Sequence, residues 1–354
     1  MKIIYIASAK SIHSARWIKF FVINSEIEVI WINTSKPNSE NINEFNELKS
    51  LIKIYNSQNI LYFFKIIFIL LFENKNIIHL HYLGWHSLLS LFIGPKNNLI
   101  LTPWGSDLLQ RDSILKKIWF SFLFKKAKYI ICDSNRLKNA SLKYGAKEEI
   151  ISVLMFGIDT NIYKKSRLIF SNNNEIVIGS NRKLEKIYDL NTLLLAAKIL
   201  CKKRKDIKFL IAGDGSLKTK IVSFIFNNKL QNRVKLLGLL NKSEMLDFYN
   251  KIDIYISTSL SDGGLSSSTA EAMSFERLII VTDNSDNKLW VRDGQNGYLF
   301  KNKDYKNLAK IIEMVLKTKE KNMKVATSAR TIINEKYNYK TEMNKVKNIY
   351  EIFK

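Results

Sequence analysis

Glycine, serine and acidic residues follow one another in Ser261–Met273, in an order that suits a phosphorylated ligand. The adjacent glycines Gly263 and Gly264 let the backbone approach a ligand closely, and the serine run after them opens a predicted helix whose free N–H groups suit phosphate. Glu271 falls in the first turns of that helix, where a carboxylate can accept both hydroxyls of a ribose. The alternative is a plain turn with serine caps and a surface glutamate.

A basic pair, Arg182 and Lys186, follows an earlier apolar run. The two residues are four apart, so a guanidinium fork and an ammonium point charge can converge on one pyrophosphate. The alternative is two solvated basic side chains in a chain rich in lysine. The glycine turns Ala212–Gly215 and Asp293–Gly297 are weak signals alone, and the second is typical of a hairpin.

Short β-branched runs precede these segments and are predicted to be buried strands. Several are almost wholly apolar, as parallel strands covered on both faces should be. Helical stretches such as Leu190–Cys201, Lys218–Asn227 and Ser243–Lys251 separate them, which predicts parallel sheets with right-handed crossovers. The predicted strands are Ile3–Ala7, Glu28–Ile32, Ile77–His81, Leu99–Thr102 and Tyr129–Cys132, then Ile176–Gly179, Lys208–Ala212, Val234–Leu237, Ile254–Ser257 and Leu278–Val281.

The two series of strands predict an α/β protein of two doubly wound domains. We expect an N-terminal domain over 1–160, a polar linker over 161–174, a second domain over 175–325, and C-terminal helices over 326–354 that can pack back on the first domain. Ligands of open α/β sheets bind beyond the carboxyl ends of the strands, so we expect the active site in the cleft between the domains.

In this order, the segments resemble family 4 glycosyltransferases, whose GT-B fold has two Rossmann-like domains facing each other across a cleft. In the second half the resemblance rests on Gly179–Lys186, Ala212–Gly215, Leu237–Leu239, Glu271–Met273 and Asp293–Leu299. In the first half it rests on Ser11–Trp17, His79–Gly84, Thr102–Asp107 and Cys132–Ser134. Matches over roughly residues 1–300 are far more specific than any single motif.

The resemblance implies a retaining transfer from a nucleotide-diphosphate sugar, by default a UDP-sugar, without a required metal or cofactor. The acceptor would be a glycan or lipid-linked glycan of lipopolysaccharide, capsule or other surface polysaccharide biosynthesis. Arg182 and Lys186 would hold the diphosphate and stabilise the leaving group, and Glu271 would bind the ribose. The other donor-side residues would be Gly213, Asp214, Asp262, Gly263, Gly264, Leu265, Ser266 and Ser267.

The sequence departs from the family pattern in two places. Relatives usually carry two glutamates separated by seven residues, but counting back from Glu271 reaches Gly263, and Asp262 stands one position earlier. Asp262 either replaces the missing glutamate by a one-residue shift or contacts the sugar differently. Many relatives also place a histidine after the fourth strand, where this chain has Trp104.

Without that histidine, His81 and Asp107 become the candidates for acceptor contacts, beside Trp104. A structural role is the alternative for both. His13 follows the first strand, where the acceptor side of the site is expected, so we predict that it contacts a sugar. Capping or packing of the helix that follows is the alternative for His13.

The composition limits the class of protein. Apolar residues make up 46% of the 354 residues, which provides for a sizeable core. Cys132 and Cys201 lie far apart in apolar segments, as reduced thiols of a cytoplasmic protein do, and no Cys/His cluster has metal-ligand spacing. The net charge of +24 favours a polyanionic partner, although a lysine-, isoleucine- and asparagine-rich composition accounts for part of it.

Two segments are candidates for contact with an anionic membrane. Lys116–Lys128 is basic at both ends and aromatic between, as an interfacial helix would be. Ile60–Phe72 is apolar but shorter than the about 20 residues that span a bilayer. The alternative is that both helices pack on a sheet. We therefore expect a cytoplasmic enzyme that can bind peripherally to the inner membrane face.

Two other classes of function compete with the transferase. A high isoelectric point is typical of nucleic-acid-binding proteins, but the basic residues are spread and no nucleic-acid module occurs, so no nucleic acid is expected as a partner. A non-transferring relative, such as an epimerase, a phosphorylase or a sugar-nucleotide-binding protein, is the second alternative, and the unusual spacing at Asp262 is compatible with it.

Overall fold

The computed structural model contains two compact units. It describes residues 1–24, 26–38, 41–109, 113–165, 167–171, 175–262, 265–284 and 287–354. Unit 1 comprises Met1–Phe156 and Lys340–Lys354, and unit 2 comprises Gly157–Tyr339.

Unit 1 contains a parallel sheet in the strand order β3-β2-β1-β4-β5-β6-β7. The strands are β1 Lys2–Ala7, β2 Glu28–Asn33, β3 Lys53–Asn56, β4 Ile77–His81, β5 Asn98–Thr102, β6 Tyr129–Cys132 and β7 Ile151–Val153. The helices are α1 Ile12–Asn24, α2 Ile42–Leu51, α3 Ile60–Phe72, α4 Ser106–Leu109, α5 Ile114–Lys126, α6 Asn135–Lys143 and, from the C-terminus, α13 Tyr339–Glu351. 3₁₀ helices span Trp85–Phe92 and Glu148–Ile150.

Unit 2 contains a second parallel sheet in the order β10-β9-β8-β11-β12-β13. The strands are β8 Ile176–Ser180, β9 Ile207–Ala212, β10 Val234–Gly238, β11 Ile254–Ser257, β12 Leu278–Thr282 and β13 Tyr298–Phe300. The helices are α7 Leu190–Lys203, α8 Lys218–Asn227, α9 Lys242–Lys251, α10 Ser267–Ser274, α11 Tyr305–Lys317 and α12 Lys319–Lys336, with 3₁₀ helices over Lys186–Tyr188 and Asn287–Leu289.

The ten strands predicted from apolar runs are confirmed, and with them the doubly wound α/β fold class. Three further strands were not predicted: β3, β7 and β13. Each lies at an edge of its sheet, and β3 and β7 have no buried residue. An edge strand packs on fewer neighbours, so it needs no apolar run to mark it in the sequence.

The segment 161–174, which the sequence predicted to be a linker, lies within unit 2. Ile169 and Phe170 are buried in the core of that unit. The buried carboxylate of Asp253 accepts hydrogen bonds from the backbone N–H of Phe170 at 2.8 Å and from Nη1 of Arg167 at 2.9 Å. These contacts fasten the segment to the sheet, although its polar composition resembles that of a loop.

The hairpin predicted at Asp293–Gly297 is wrong. The segment is a tight turn in which the N–H of Gly294 donates to the carbonyl of Gly297 at 2.8 Å. The Asp293 carboxylate accepts from the N–H of Leu299 at 2.8 Å, which directs the chain into β13. Since β13 pairs in parallel with β12, the turn leads into the sheet of unit 2 and not into an antiparallel partner.

Candidate functional site

The loop after β8 carries Arg182 and packs tightly on the loop after β9. The N–H of Leu184 donates to the carbonyl of Asp214 at 3.0 Å, and that of Leu217 donates to the carbonyl of Leu184 at 2.9 Å. Gly213 has a φ of +129°, and a Cβ there would lie 2.4 Å from the carbonyl oxygen of Arg182. The glycine at position 213 therefore determines where the Arg182 backbone lies, because a larger residue would not let the two loops pack so closely.

The guanidinium of Arg182 joins the loop after β8 to the helix α10. Nη1 donates to Oγ of Ser268 at 2.9 Å, Nη2 pairs with Asp262, and the group lies over the Tyr188 ring at 4.5 Å. Burial alone would lower the pKa of Arg182, but Tyr255 and Asp262 raise it above its ordinary value. Arg182 therefore carries a fixed positive charge in a nearly buried setting.

Several buried polar atoms around Arg182 have no hydrogen-bond partner among the described residues. They are Nε of Arg182, Oδ2 of Asp262 and Oδ1 of Asn181. Buried polar atoms in folded proteins are nearly always paired, so a cluster of unpaired ones indicates that a ligand or water completes them. The donors and acceptors are mixed, which suits a ligand that carries both an anion and hydroxyl groups.

Glu271 is oriented by Tyr249, which is completely buried at the end of α9. The Tyr249 hydroxyl donates to Oε2 of Glu271 at 2.8 Å and lies 3.1 Å from the carbonyl of Ser268. The same hydroxyl accepts from Nδ2 of Asn181 at 2.7 Å. Burial, and then the charge of Glu271, raises the pKa of Tyr249 well above its ordinary value, so the tyrosine remains a proton donor.

Lys186 stands apart from this network. It is exposed and begins the 3₁₀ helix Lys186–Tyr188. That helix is fastened to the loop after β11, because the N–H of Leu260 donates to Ile187 at 2.9 Å and Oγ1 of Thr258 donates to Tyr188 at 2.8 Å. Within the described residues Lys186 has no ion pair, so its ammonium remains available to an anionic ligand.

The other predicted residues of the serine run differ in their surroundings. Gly263 and Gly264 lie outside the described residues. Ser266 is the N-cap of α10, and its Oγ accepts from the N–H of Thr269 at 3.3 Å. Ser267 is exposed, whereas Leu265 is buried.

Asp214 does not join the Arg182 network through its carboxylate. The carboxylate pairs with Lys218 at 2.7 Å, and this hydrogen bond holds the pKa of Asp214 below its ordinary value. Its carbonyl, which positions the Arg182 loop, is the part that contributes to the site.

Ser268 and Tyr249 contact the predicted residues directly, but sequence reasoning did not select them as site residues. The spacing of Ser268 from Glu271, one helical turn, is the signal that could have identified it.

Three of the four predicted acceptor-side residues come together in unit 1. His13 stacks on Trp104 with ring centroids 5.5 Å apart, and His81 lies 5.8 Å from Trp104. Trp17 and Phe156 complete this aromatic cluster, at 5.0 Å from His81 and from His13 respectively.

The aromatic cluster of His13, Trp17, His81, Trp104 and Phe156 contains polar atoms without protein partners. Nδ1 of His13, Nε2 of His81 and Nε1 of Trp104 are buried and lack a hydrogen bond within the described part of the chain. Burial, with Arg16 in addition, lowers the pKa of His13 to about 4, and burial lowers that of His81 to about 3. Both imidazoles are neutral at pH 7, so each has one donor and one acceptor nitrogen.

Asp107, the fourth predicted acceptor-side residue, fastens the loop that carries Trp104. Its carboxylate accepts from the N–H groups of Leu83 at 2.7 Å, Trp104 at 3.1 Å and Leu108 at 3.0 Å. Burial raises the pKa of Asp107, and these hydrogen bonds oppose the shift. The side chain thus positions Trp104 through backbone groups.

Two family models match the chain, one in each unit. The model described as glycosyl transferases group 1 matches residues 159–332, and the model described as glycosyl transferase 4-like matches residues 2–134. The chain belongs to the group 1 glycosyltransferases. The expectation drawn from the motifs is confirmed at the level of family and enzyme class.

Relatives of this glycosyltransferase are distant in sequence. An uncharacterized glycosyltransferase of Methanocaldococcus jannaschii is 24% identical over 72% of this chain and 68% of its own length. A poly(ribitol-phosphate) alpha-N-acetylglucosaminyltransferase of Staphylococcus aureus is 27% identical over 64% of this chain and 47% of its own length. The chain therefore aligns with less than half of the staphylococcal enzyme.

Solved structures of similar fold cover the glycosyltransferase almost completely. A glycosyltransferase from Rickettsia africae superposes with a TM-score of 0.80 at 19% identity, covering 99% of this chain and 98% of that one. HepE of Anabaena in complex with UDP superposes with a TM-score of 0.79 at 16% identity, covering 99% and 100%. The fold is therefore GT-B.

Proposed function

We propose that this glycosyltransferase transfers a sugar from a nucleotide-diphosphate sugar, by default a UDP-sugar, to a glycan acceptor with retention of anomeric configuration. The observation that carries the proposal is the nearly buried Arg182, held between Asp262 and Ser268 beside a Glu271 that Tyr249 orients. The UDP complex of HepE, a protein of the same fold, supports UDP as the nucleotide.

Arg182 supplies the charge that the leaving group requires. As the bond between sugar and diphosphate breaks, negative charge develops on the diphosphate, and a fixed cation in a site of low dielectric stabilises it strongly. Ser268 and Asp262 hold the guanidinium in place before the donor arrives, so little reorganisation is needed. The exposed Lys186 adds a mobile ammonium as a second diphosphate contact.

Glu271 and Asp262 have separate roles in the proposal. Glu271 accepts the ribose hydroxyls, because its Oε2 is fixed by Tyr249 and the carboxylate is only half-buried. Asp262 acts first as the counter-ion of Arg182, and its unpaired Oδ2 accepts a hydroxyl of the sugar. In this way Asp262 contacts the sugar without occupying the position of the missing glutamate.

The aromatic cluster in unit 1 takes the acceptor glycan in this proposal. Aromatic faces stack on the C–H faces of sugar rings, while neutral imidazole nitrogens exchange hydrogen bonds with hydroxyls. The unpaired nitrogens of His13, His81 and Trp104 provide such groups.

Surface polysaccharide biosynthesis, such as that of lipopolysaccharide or capsule, is the proposed setting. A capsular polysaccharide biosynthesis glycosyltransferase of Staphylococcus aureus, 23% identical over 63% of this chain, supports it.

The test is the release of nucleoside diphosphate from a panel of nucleotide sugars with glycan acceptors. We expect Arg182→Gln and Glu271→Ala each to lower turnover by at least about a hundredfold, since each removes a charge-assisted contact. Arg204→Gln is the matched control, because Arg204 pairs with Asp206 at the surface of the same unit. Near-normal rates for both site variants, with circular dichroism unchanged, would refute the site.

The same assay distinguishes the transferase from a non-transferring relative. A binding protein or epimerase would bind the nucleotide sugar, in calorimetry, without acceptor-dependent release of UDP. The anomeric coupling constant of the product in ¹H NMR reports retention or inversion.

Turnover in excess EDTA tests the proposal that no metal is required. Among the described residues no group of three His, Cys, Asp or Glu side chains is placed to hold a metal ion.

We further propose that the enzyme acts in the cytoplasm. Cys132 and Cys201 are both free, and burial raises the pKa of Cys132 to about 12. An unreactive free thiol is usual in a reducing compartment. Fractionation of cells that express the tagged chain tests the assignment, and recovery from an extracellular fraction would contradict it.

A further inference from the structure

The helix α3 of unit 1 is apolar on every side, yet it buries only one of them. Its sequence has a single charged residue, Lys65, and only Ile66, Ile69 and Leu70 are buried. Large apolar side chains cover the rest of its surface and are strongly exposed. They include Ile60 at 67%, Leu61 at 79%, Phe64 at 68%, Phe68 at 60% and Phe72 at 63%.

Two neighbouring elements continue this exposed surface. On the 3₁₀ helix Trp85–Phe92, Trp85 is 78% exposed and Leu88 47%. On α5, Leu115 is 80% exposed and Ile118 65%. We call the exposed side chains of α3, of this 3₁₀ helix and of α5 the apolar face.

Hydrogen bonds join the three elements side by side. Trp119 of α5 donates from Nε1 to Oγ of Ser87 at 2.8 Å, and Lys126 of α5 donates to the carbonyl of Ser90 at 2.6 Å. At the other side, the N–H of Gly94, just after the 3₁₀ helix, donates to the carbonyl of Leu70 of α3 at 2.9 Å. The three elements are therefore neighbours in unit 1, and exposed apolar side chains grouped on neighbouring elements mark interaction sites.

The charges of the apolar face have one sign. None of its three elements contains an aspartate or glutamate, whereas α3 has one lysine and α5 has four. Lys117 and Lys125 are exposed among the apolar side chains. Lysine is depleted in protein–protein interfaces, whereas exposed apolar groups beside lysines suit the headgroup region of an anionic bilayer.

A cavity of about 400 Å³ opens beside the apolar face. Its lining includes Trp85 and Leu88 of the 3₁₀ helix, Leu115 and Trp119 of α5, and Asp107. The volume falls in the range of pockets that hold small ligands. Its apolar walls suit a hydrocarbon chain, and Asp107 connects the cavity to the Trp104 loop of the acceptor-side cluster.

We propose that the apolar face docks unit 1 on an anionic lipid bilayer and that the cavity receives part of the hydrocarbon chain of a lipid-linked acceptor. The role of the cavity rests on the proposed function, whereas the docking does not. The proposed docking is peripheral. No helix within the described residues is long and apolar enough to cross a membrane.

Flotation with vesicles tests the docking on the full chain. We expect recovery with vesicles containing phosphatidylglycerol at least about tenfold above that with phosphatidylcholine alone. Phe64→Gln combined with Phe68→Gln, and separately Lys117→Glu combined with Lys125→Glu, should each lower this recovery by about tenfold or more. All four side chains are exposed, so the fold should tolerate the changes.

Matched controls lie on unit 2. Val222 and Phe226 of α8 are 50% and 68% exposed, so Val222→Gln with Phe226→Gln removes comparable apolar surface elsewhere. Lys310→Glu with Lys324→Glu makes the same change in net charge at exposed positions of α11 and α12. Both controls should float like the unmodified chain.

Quenching by lipids brominated in the acyl chain locates the contact. Tryptophan fluorescence should be quenched by such vesicles, and Trp85→Phe should remove part of the quenching. Equal flotation with both kinds of vesicle, or none with either, would overturn the proposal. Loss of a dimer in the Phe64/Phe68 variant without any vesicle binding would also overturn it, by showing a protein partner. UDP binding should be unchanged in these variants, so a failure of docking is distinct from a failure of the proposed function.

Discussion

The Tyr249→Phe change isolates the group that orients Glu271. It removes one oxygen atom, the hydroxyl that donates to Oε2 of Glu271 at 2.8 Å and accepts from Asn181 at 2.7 Å. A hydrogen bond to a charged group contributes about 1.5–3 kcal/mol. At about 1.4 kcal/mol per factor of ten, that range corresponds to roughly 10- to 150-fold in a binding constant.

The bond exists before the nucleotide binds, so only the part that keeps Glu271 in its binding geometry affects affinity. We therefore expect the lower end of the range, a UDP affinity about tenfold weaker in isothermal titration calorimetry. In a Glu271→Ala background the same change should have almost no effect, because the carboxylate that Tyr249 orients is gone. Tyr298→Phe is the matched control. It removes another buried hydroxyl of unit 2, which donates to Asn322 at 2.6 Å outside the Arg182 network.

Both tyrosine variants should lose about 1–3 kcal/mol of unfolding free energy, because each removes a hydrogen bond that a buried hydroxyl donates. Only Tyr249→Phe should weaken UDP binding. An equal loss of affinity in the presence and absence of Glu271 would refute the reasoning, since it would mean that Tyr249 acts through the fold and not through the carboxylate.

The remaining predictions concern backbone packing and buried histidine. Gly213→Ala should weaken UDP binding in calorimetry, because the new Cβ would lie 2.4 Å from the carbonyl oxygen of Arg182 and must displace it. Gly145→Ala is the control, since Gly145 has a φ of +89° and no atom would lie closer than 3.7 Å to the new Cβ. This control should lower the free energy of unfolding and leave UDP binding unchanged. Normal affinity in Gly213→Ala would contradict the packing argument. The pKa of His81 is about 3 when folded, below its unfolded value of 6.5, so the unfolded chain takes up the proton first and stability falls as the pH drops below 6.5. Between pH 7 and pH 5, His81→Gln should reduce the decrease in the free energy of unfolding by about 2 kcal/mol, as measured by urea titration. An unchanged pH dependence would show that His81 becomes protonated in the folded state.

The strands of the two sheets were predictable because most are buried on both faces. Strands such as β4 and β12 are completely buried, so most of their residues are apolar whatever lies around them. The edge strand β3 is not buried on both faces, so its residues need not be apolar. Its partly exposed sequence resembles that of a loop. The polar segment 161–174 belongs to unit 2, where Asp253 accepts hydrogen bonds from the backbone of Phe170 and the side chain of Arg167, and its composition alone did not indicate these contacts.

The candidate site was predictable in its residue types but not in its contacts. Arg182, Asp262 and Glu271 were selected because each follows a strand and carries a charge suited to a nucleotide sugar. That Asp262 pairs with Arg182, across 80 positions of sequence, depends on the parallel order of β8 and β11. Tyr249 could not be assigned to Glu271 without that order, because a buried tyrosine is ordinarily part of a core.

The sequence by itself determined the family and the two wound sheets. Both depend on local properties, namely apolar periodicity and glycine turns at strand ends. Such properties can be read directly from the order of the residues. Only the tertiary structure decided that Asp262 is the counter-ion of Arg182, that Tyr249 orients Glu271, and that His13, His81 and Trp104 form one cluster. It also left α3 exposed on most of its surface, whereas a helix with that sequence would ordinarily be buried. Pairing and exposure depend on which elements become neighbours, and neighbours distant in sequence are fixed only when the chain packs.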